Sequence, residues 1–171
     1  INVGDVFLLT DVLGADALIY GLVGSFFAVG TLLFSLFAGV KKFTGKQELQ
    51  ILGVGMAIMS LSAFGVGMAV HYIMVMVIWF ITGMANATIN SYGVGMMIKV
   101  TPHEFQGRVF AAFGALVSIA SILAMSLAGW LIDAFGVREV FIVAGIAAFV
   151  AFLSLFPTVY REQSKILKDR V

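Results

Sequence analysis

The chain has 171 residues, of which 61% are hydrophobic and 11% charged, with a net charge of +1, no cysteine and a mean hydropathy of +1.10. Soluble domains carry about a quarter charged residues, so a soluble globular protein is excluded. The small net charge gives no footing for a nucleic-acid partner, and the lack of cysteine rules out disulfides and thiolate metal sites.

The charges cluster, and the gaps between them are the first structural signal. None falls in 17–40, 49–98, 109–132 or 140–160. About 20 apolar residues cross a bilayer as a helix, so the long gap holds two helices, broken near "AVHYI" (69–73). This predicts an all-α membrane bundle (1–160) with complete spans at 17–40, 49–70, 73–98, 109–132 and 140–159, then a tail over 161–171.

At the start, "INVGDVFLLT" (1–10) is apolar but too short to cross and lacks the basic region and cleavage site of a signal peptide. It reads as the last part of a sixth helix, truncated here. Asp5 is the expensive residue in it, about 8 Å below the outer end at 1.5 Å per residue. Acids held within a membrane often relay protons, which makes Asp5 a coupling candidate; the plainer reading is an acid that reaches the outer interface of a short span. Asn2 lies on the same face and accompanies it.

The next helix and the fourth complete one resemble each other. "YGLVGSFFAVGTLLFSLFAG" (20–39) lies over "FAAFGALVSIASILAMSLAG" (110–129), so that Gly24 meets Gly114, Ala28 meets Ser118 and Gly39 meets Gly129. The copies run in opposite directions, which predicts an inverted repeat of three spans each, as in secondary transporters. Each copy also gathers its small residues on one face: Gly21, Gly24, Ala28 and Ser35 on the first, Gly114, Ser118 and Gly129 on the second. Such faces let helices approach closely in lipid. They serve either fixed packing or rocking of one helix group against another.

In the third complete span, "NATINSYG" (86–93) interrupts an uncharged run. At 100° per residue, Trp79, Thr82, Asn90, Gly93 and Met97 all fall within about 40° of Asn86. An unpaired amide in hydrocarbon costs several kcal/mol, so this stripe should face protein or water. It is expected to line a substrate cavity; the plainer reading is polar glue between helices.

Orientation follows from the basic residues, which favour the cytoplasmic side of short loops. Lys41, Lys42, Lys46, Lys99, Arg108, Arg161, Lys165, Lys168 and Arg170 share one side, and the other holds only Arg138. The tail is therefore expected in the cytoplasm of a multi-pass plasma-membrane protein. His71 and His103 lie in opposite loops and cannot form a metal pair. No hydroxyl–His–acid set and no phosphate loop is present, so neither an enzyme nor a cofactor is expected.

The loop "TPHEFQGRVF" (101–110), with Pro102, Glu104, Gly107 and Arg108, resembles the macrolide-efflux and siderophore-exporter group of the major facilitator superfamily. "DVLGADALIYGLVGSFFAVGTLL" (11–33) and "LAGWLIDAFGVREVFIVAGI" (127–146) are similar to the same group. The resemblance implies the C-terminal six-helix half of that fold, with the missing N-terminal half as partner beside the lipid bilayer. It implies proton-coupled efflux of small amphiphilic molecules, with the stripe on a cavity-lining helix and the small-residue helices where the halves meet. An uptake symporter of the same fold, or a non-transporting subunit binding a partner helix, is the alternative. One departure stands out: "GVKKFTGKQ" (39–47) has no acid where the family's gating loop carries Asp, which puts that loop's charge clasp in doubt. Pro102 ends the stripe helix, while Glu104 and Arg108, four apart, suit a local ion pair.

Overall fold

The computed structural model describes residues 3–40, 43 and 46–168, and they are helical almost throughout. A short helix α1 (Val3–Phe7) runs on into a π turn, Leu8–Val12. Then come α2 (Ala17–Val40), α3 (Lys46–Gly67) and α4 (Tyr72–Thr88). A second π turn, Ile89–Gly93, joins α4 to α5 (Val94–Val100), and α6 (Gln106–Phe135) and α7 (Val137–Lys168) complete the bundle. Five helical stretches are long and apolar enough to cross a membrane: Ala17–Val40, Gln47–Gly67, Tyr72–Val100, His103–Phe135 and Val137–Pro157. Asn2, Lys41, Lys42 and Arg170 lie outside the described residues.

The helices overrun the uncharged gaps at several ends. Asp133 sits in the last turn of α6, and Arg138 and Glu139 in the first turn of α7. Charge marks where hydrocarbon stops, whereas helical hydrogen bonding continues into the interface until the backbone turns. Between α6 and α7 it turns in one residue. Gly136 adopts φ +94°, and its N–H donates to Ile132 O at 2.9 Å. At the α3–α4 break, on the same side, the backbone is capped by a side chain: His71 Nδ1 accepts from Ile73 N at 3.3 Å and starts α4. The α3–α4 break therefore falls at 68–71, overlapping the expected 69–73.

Packing pairs α2 with α4, α3 with α7 and α4, and α1 with α6 and α7. An inverted repeat that exchanges α1, α2, α3 with α4, α6, α7 carries the first set of pairs onto itself. The α2–α4 contact is its mirror in α6–α1, which is shorter because α1 is short.

Close approach explains the strongest pair. A Cβ on Gly30 would strike Phe80 O on α4, and one on Gly83 would strike Phe27 O on α2. Two glycines thus set one crossing, and Thr31 Oγ1 strengthens it, lying 3.0 Å from Phe27 O and 3.1 Å from Gly83 O. The α3–α7 crossing uses the same device: a Cβ on Gly145 would meet the Phe64 backbone, and one on Gly67 would meet Ile142 and Arg138 O. In lipid, helices gain little from hiding apolar surface, so the backbone contact that small residues permit does the holding.

The aliphatic core sits at one end of the bundle. Leu8, Leu9, Ala15, Val23, Val66, Ala69, Val75 and Val137 are all buried there, around the 13–16 and 68–71 loops. No residue of α6 is buried, and its Leu116, Ile122, Leu127 and Trp130 lie open.

Candidate functional site

Six residues of the α4–α5 segment were expected to form one stripe, and the structure sorts them into three groups. Trp79 turns to α2: its ring meets Phe27 edge-on at 5.5 Å between centroids, and it packs on the cluster of Leu9, Val23 and Met76. Its Nε1 is buried with no hydrogen-bond partner among the described residues. Thr82 is buried, and its hydroxyl donates to Ile78 O of its own helix at 2.7 Å.

Gly93 leaves the stripe. A Cβ there would meet Leu52 of α3 at 3.6 Å, so it faces a neighbouring helix. The reason is the π turn at Ile89–Gly93. Its i→i+5 bonding inserts one residue beyond α geometry, so the even 100° count that placed Gly93 and Met97 beside Asn86 fails beyond Thr88. Met97 is half-buried.

Asn86 and Asn90 remain. Asn90 Nδ2 donates to Asn86 O at 2.9 Å and to Asn86 Oδ1 at 3.0 Å. Asn90 is exposed and Asn86 half-buried, and neither makes a hydrogen bond to another helix among the described residues. Asn86 Nδ2 and Asn90 Oδ1 stay available on an open face. The bond to Asn86 O also has a backbone role, because a π turn disturbs the helical ladder where it begins. The pair is thus held on one helix and offers one donor and one acceptor outward.

Asp5 is 1% exposed. Leu8 and Leu9, which open the π turn after α1, both pack into the aliphatic clusters with residues of α2, α3, α4 and α7. The carboxyl group is therefore inside the bundle, away from its rim. Asn2 lies outside the described residues. Next to Asp5, Gly4 opens a crevice of about 450 Å³ between α1, α6 and α7, bordered by Ser121, Met125, Ala128 and Phe141. A Cβ at Gly4 would press on the Phe141 ring at 3.1 Å.

The small-residue faces lie open. Gly21, Ala28 and Ser35 are exposed on α2, with Gly24 half-buried; Gly114 and Ser118 are exposed on α6, with Gly129 half-buried. A Cβ on Gly21, Gly114 or Gly129 would meet nothing within 4 Å. These faces are mostly open within this bundle, and the glycines at the closest crossings, Gly30, Gly83, Gly67 and Gly145, were not singled out from the sequence. Gly30 stands off the small face of α2, between Val29 and Thr31, so no periodic signal marked it.

The 101–110 loop departs from expectation in one respect. Pro102 does end the segment, one residue beyond Thr101, and Gly107 has open space around it. Glu104, however, belongs to a short 3₁₀ turn, His103–Phe105, ahead of α6, so helical i,i+4 spacing does not link it to Arg108. No ion pair joins them among the described residues. Instead, Gln106 Nε2 reaches back to Thr101 O at 3.3 Å.

Among the described residues an ion pair joins Lys99 to Glu48. Lys99 Nζ lies 2.8 Å from Oε1 and 2.7 Å from Oε2 of Glu48, in the first turn of α3. Glu48 is buried while the Lys99 side chain is 56% exposed. The acid missing from the 39–47 loop is thus followed by one a turn into α3. Tyr92 in the π turn is buried nearby, edge-on to Phe43 at 6.0 Å, and its hydroxyl has no hydrogen-bond partner among the described residues.

No group of His, Cys, Asp or Glu able to hold a metal occurs among the described residues. The family model for the Major Facilitator Superfamily matches residues 5–170. No curated protein and no solved structure matches the chain.

Proposed function

The chain belongs to the Major Facilitator Superfamily of membrane transporters, and from that premise we propose that it forms the C-terminal half of a proton-coupled exporter of small amphiphilic molecules. Its substrate wall is the amide pair. Asn86 and Asn90 bond to each other and, among the described residues, to no neighbouring helix, which leaves a donor and an acceptor facing outward at membrane depth. That observation carries the reading, because amides acting as glue would be bonded across a helix interface.

Thr82 and Trp79 support the wall from behind, one bonded to its own backbone and the other wedged on α2. Asp5, enclosed in the bundle, loads and releases the proton. The open faces of α2 and α6 rest against a second six-helix half, and the substrate passes between the halves by alternating access. The basic loops lie in the cytoplasm, so the aliphatic end of the bundle faces out. The export direction rests on the likeness of the 101–110 loop to efflux proteins.

The test is proton-gradient-driven efflux of a fluorescent amphiphile from cells expressing the full-length protein. Asn86→Leu and Asn90→Leu are expected to lower flux per molecule at least about tenfold, the loss of roughly 1.4 kcal/mol of transition-state binding, at unchanged surface expression. Flux preserved alongside reduced assembly would overturn the reading. Asp5→Asn is expected to abolish uphill efflux while sparing substrate exchange down its own gradient. Equal loss of both would remove Asp5 from the coupling step.

A further inference from the structure

The segment from Tyr72 to Val100 is fastened twice, by different means, on either side of its π turn. Above the turn, α4 is clamped to α2 through the Gly30–Gly83 crossing and the Thr31 hydroxyl. Below it, α5 is only seven residues long, with no buried residue of its own. The Lys99–Glu48 ion pair, at 2.7–2.8 Å to both carboxylate oxygens, joins α5 to the start of α3. Between the two fastenings lies the turn where helical geometry gives way, carrying Asn90 and the buried Tyr92. Asn86 O, the acceptor of the Asn90 side chain, sits at the upper edge of that turn.

We propose that Glu48 and Lys99 are positioning residues for transport: their ion pair sets the angle of α5 about the π turn, and with it the geometry of the Asn86–Asn90 pair. A π turn is a frequent feature of functional sites because its wider ring tolerates rearrangement that an α turn resists. α4 cannot follow such a rearrangement, since its glycine crossing leaves no room to slide. α5 can, because it has no buried residue of its own and meets the α3 terminus through the Lys99–Glu48 pair. Glu48 is buried and Lys99 reaches out from a more exposed position, so the carboxylate is the fixed member and the lysine the one that swings. With the pair closed, α5 is drawn to α3 and Asn90 is held over Asn86. With it open, α5 tilts away and the amide pair loses its register. The pair thus acts on substrate through the amides and does not itself touch it.

This inference rests on the cavity reading for its effect on transport, so the experiment reads α5 separately. This chain contains no cysteine; with any cysteine elsewhere in the full-length protein replaced by serine, exposed Gln50 and Val100 take spin labels as Gln50→Cys and Val100→Cys. Their distance distribution is measured in the full-length protein in lipid, alongside KM and kcat for efflux. Glu48→Gln and Lys99→Met are each expected to broaden and lengthen that distance. They should also raise KM about fivefold or more, the low end for coupled sites, with a smaller change in kcat. The swapped double variant, Glu48→Lys with Lys99→Glu, is expected to restore both, and Lys99→Arg to keep both.

Should Glu48→Gln fail to accumulate, the swap and Lys99→Arg carry the comparison against Lys99→Met. An unchanged distance in the folded single variants would overturn the latch, as would a folded swap that restores neither readout. A lengthened distance, together with Asn86→Leu and Asn90→Leu variants that transport normally, would sustain the latch on α5 and reject the cavity reading. An unchanged distance with those two variants inactive would do the reverse.

Discussion

A glycine's meaning in this chain depends on what lies opposite it, and spacing alone does not reveal that. Gly30 and Gly83 each sit where a methyl group would press on a carbonyl of the facing helix, and they fix the α2–α4 crossing. Gly21 and Gly114 belong to conspicuous periodic faces yet meet nothing within 4 Å. Gly83→Ala is therefore expected to destabilise the protein by about 1–3 kcal/mol through forced backbone displacement, read as a lower Tm in detergent. Gly21→Ala and Gly114→Ala should leave Tm unchanged or raise it, by up to about 1 kcal/mol, because alanine favours the helix. Their effect belongs to transport, which should slow where those faces meet another surface. Gly136 differs from all four. Its φ of +94° admits a side chain only with strain, so Gly136→Ala should cost about 1–3 kcal/mol, again read as Tm. The sequence carried the periodic glycines plainly. It carried no sign of the two at the crossing, because contact between helices distant in sequence leaves no periodic trace in either.

At the scale of elements, helix existence was legible and helix phase was not. The gaps in charge located every long helix, since hydrocarbon admits no unpaired charge cheaply. The π turn at Ile89–Gly93 lies inside an uninterrupted apolar run, and neither proline nor charge announces it. Its extra residue turned Gly93 toward α3 and reduced a stripe of six to an outward pair of two. The same fact makes a prediction. Deleting Ser91 should convert the π turn to a plain α turn while keeping α4 and α5 in their present faces, because the turn already holds one residue in surplus. The folded deletion should retain the Glu48–Lys99 contact, checked by cross-linking cysteines placed at the two positions. Deleting Ile81 from regular α4 should instead rotate everything beyond it by about 100° and prevent assembly. Glu104 and Arg108 failed as a pair for a related reason: the chain between them changes from 3₁₀ to α, and equal spacing no longer means a shared face.

Across the whole molecule, the two ends are closed by different chemistry. Around the 13–16 and 68–71 loops the closure is aliphatic; beside Phe43 it is an ion pair flanked by aromatic rings. Charge–charge attraction at an exposed lysine is screened by salt and apolar contact is not. Raising ionic strength should therefore loosen the Gln50–Val100 distance and leave labels near the opposite loops unmoved. The repeat was readable in the sequence because its copies share loop spacing as well as small residues. The exposure of α6 was not, because composition reports what a helix is made of and not what covers it.

That helix has one more consequence. Thirty residues of α6 extend about 45 Å at 1.5 Å per residue, against a hydrocarbon slab of roughly 30 Å. None of its residues is buried in the described structure, so it can lean or protrude to settle the mismatch. A thinner or thicker bilayer changes that lean before it changes any other helix here. Acyl-chain length in reconstituted vesicles thereby becomes a handle on this protein's working rate, one that requires no mutation at all.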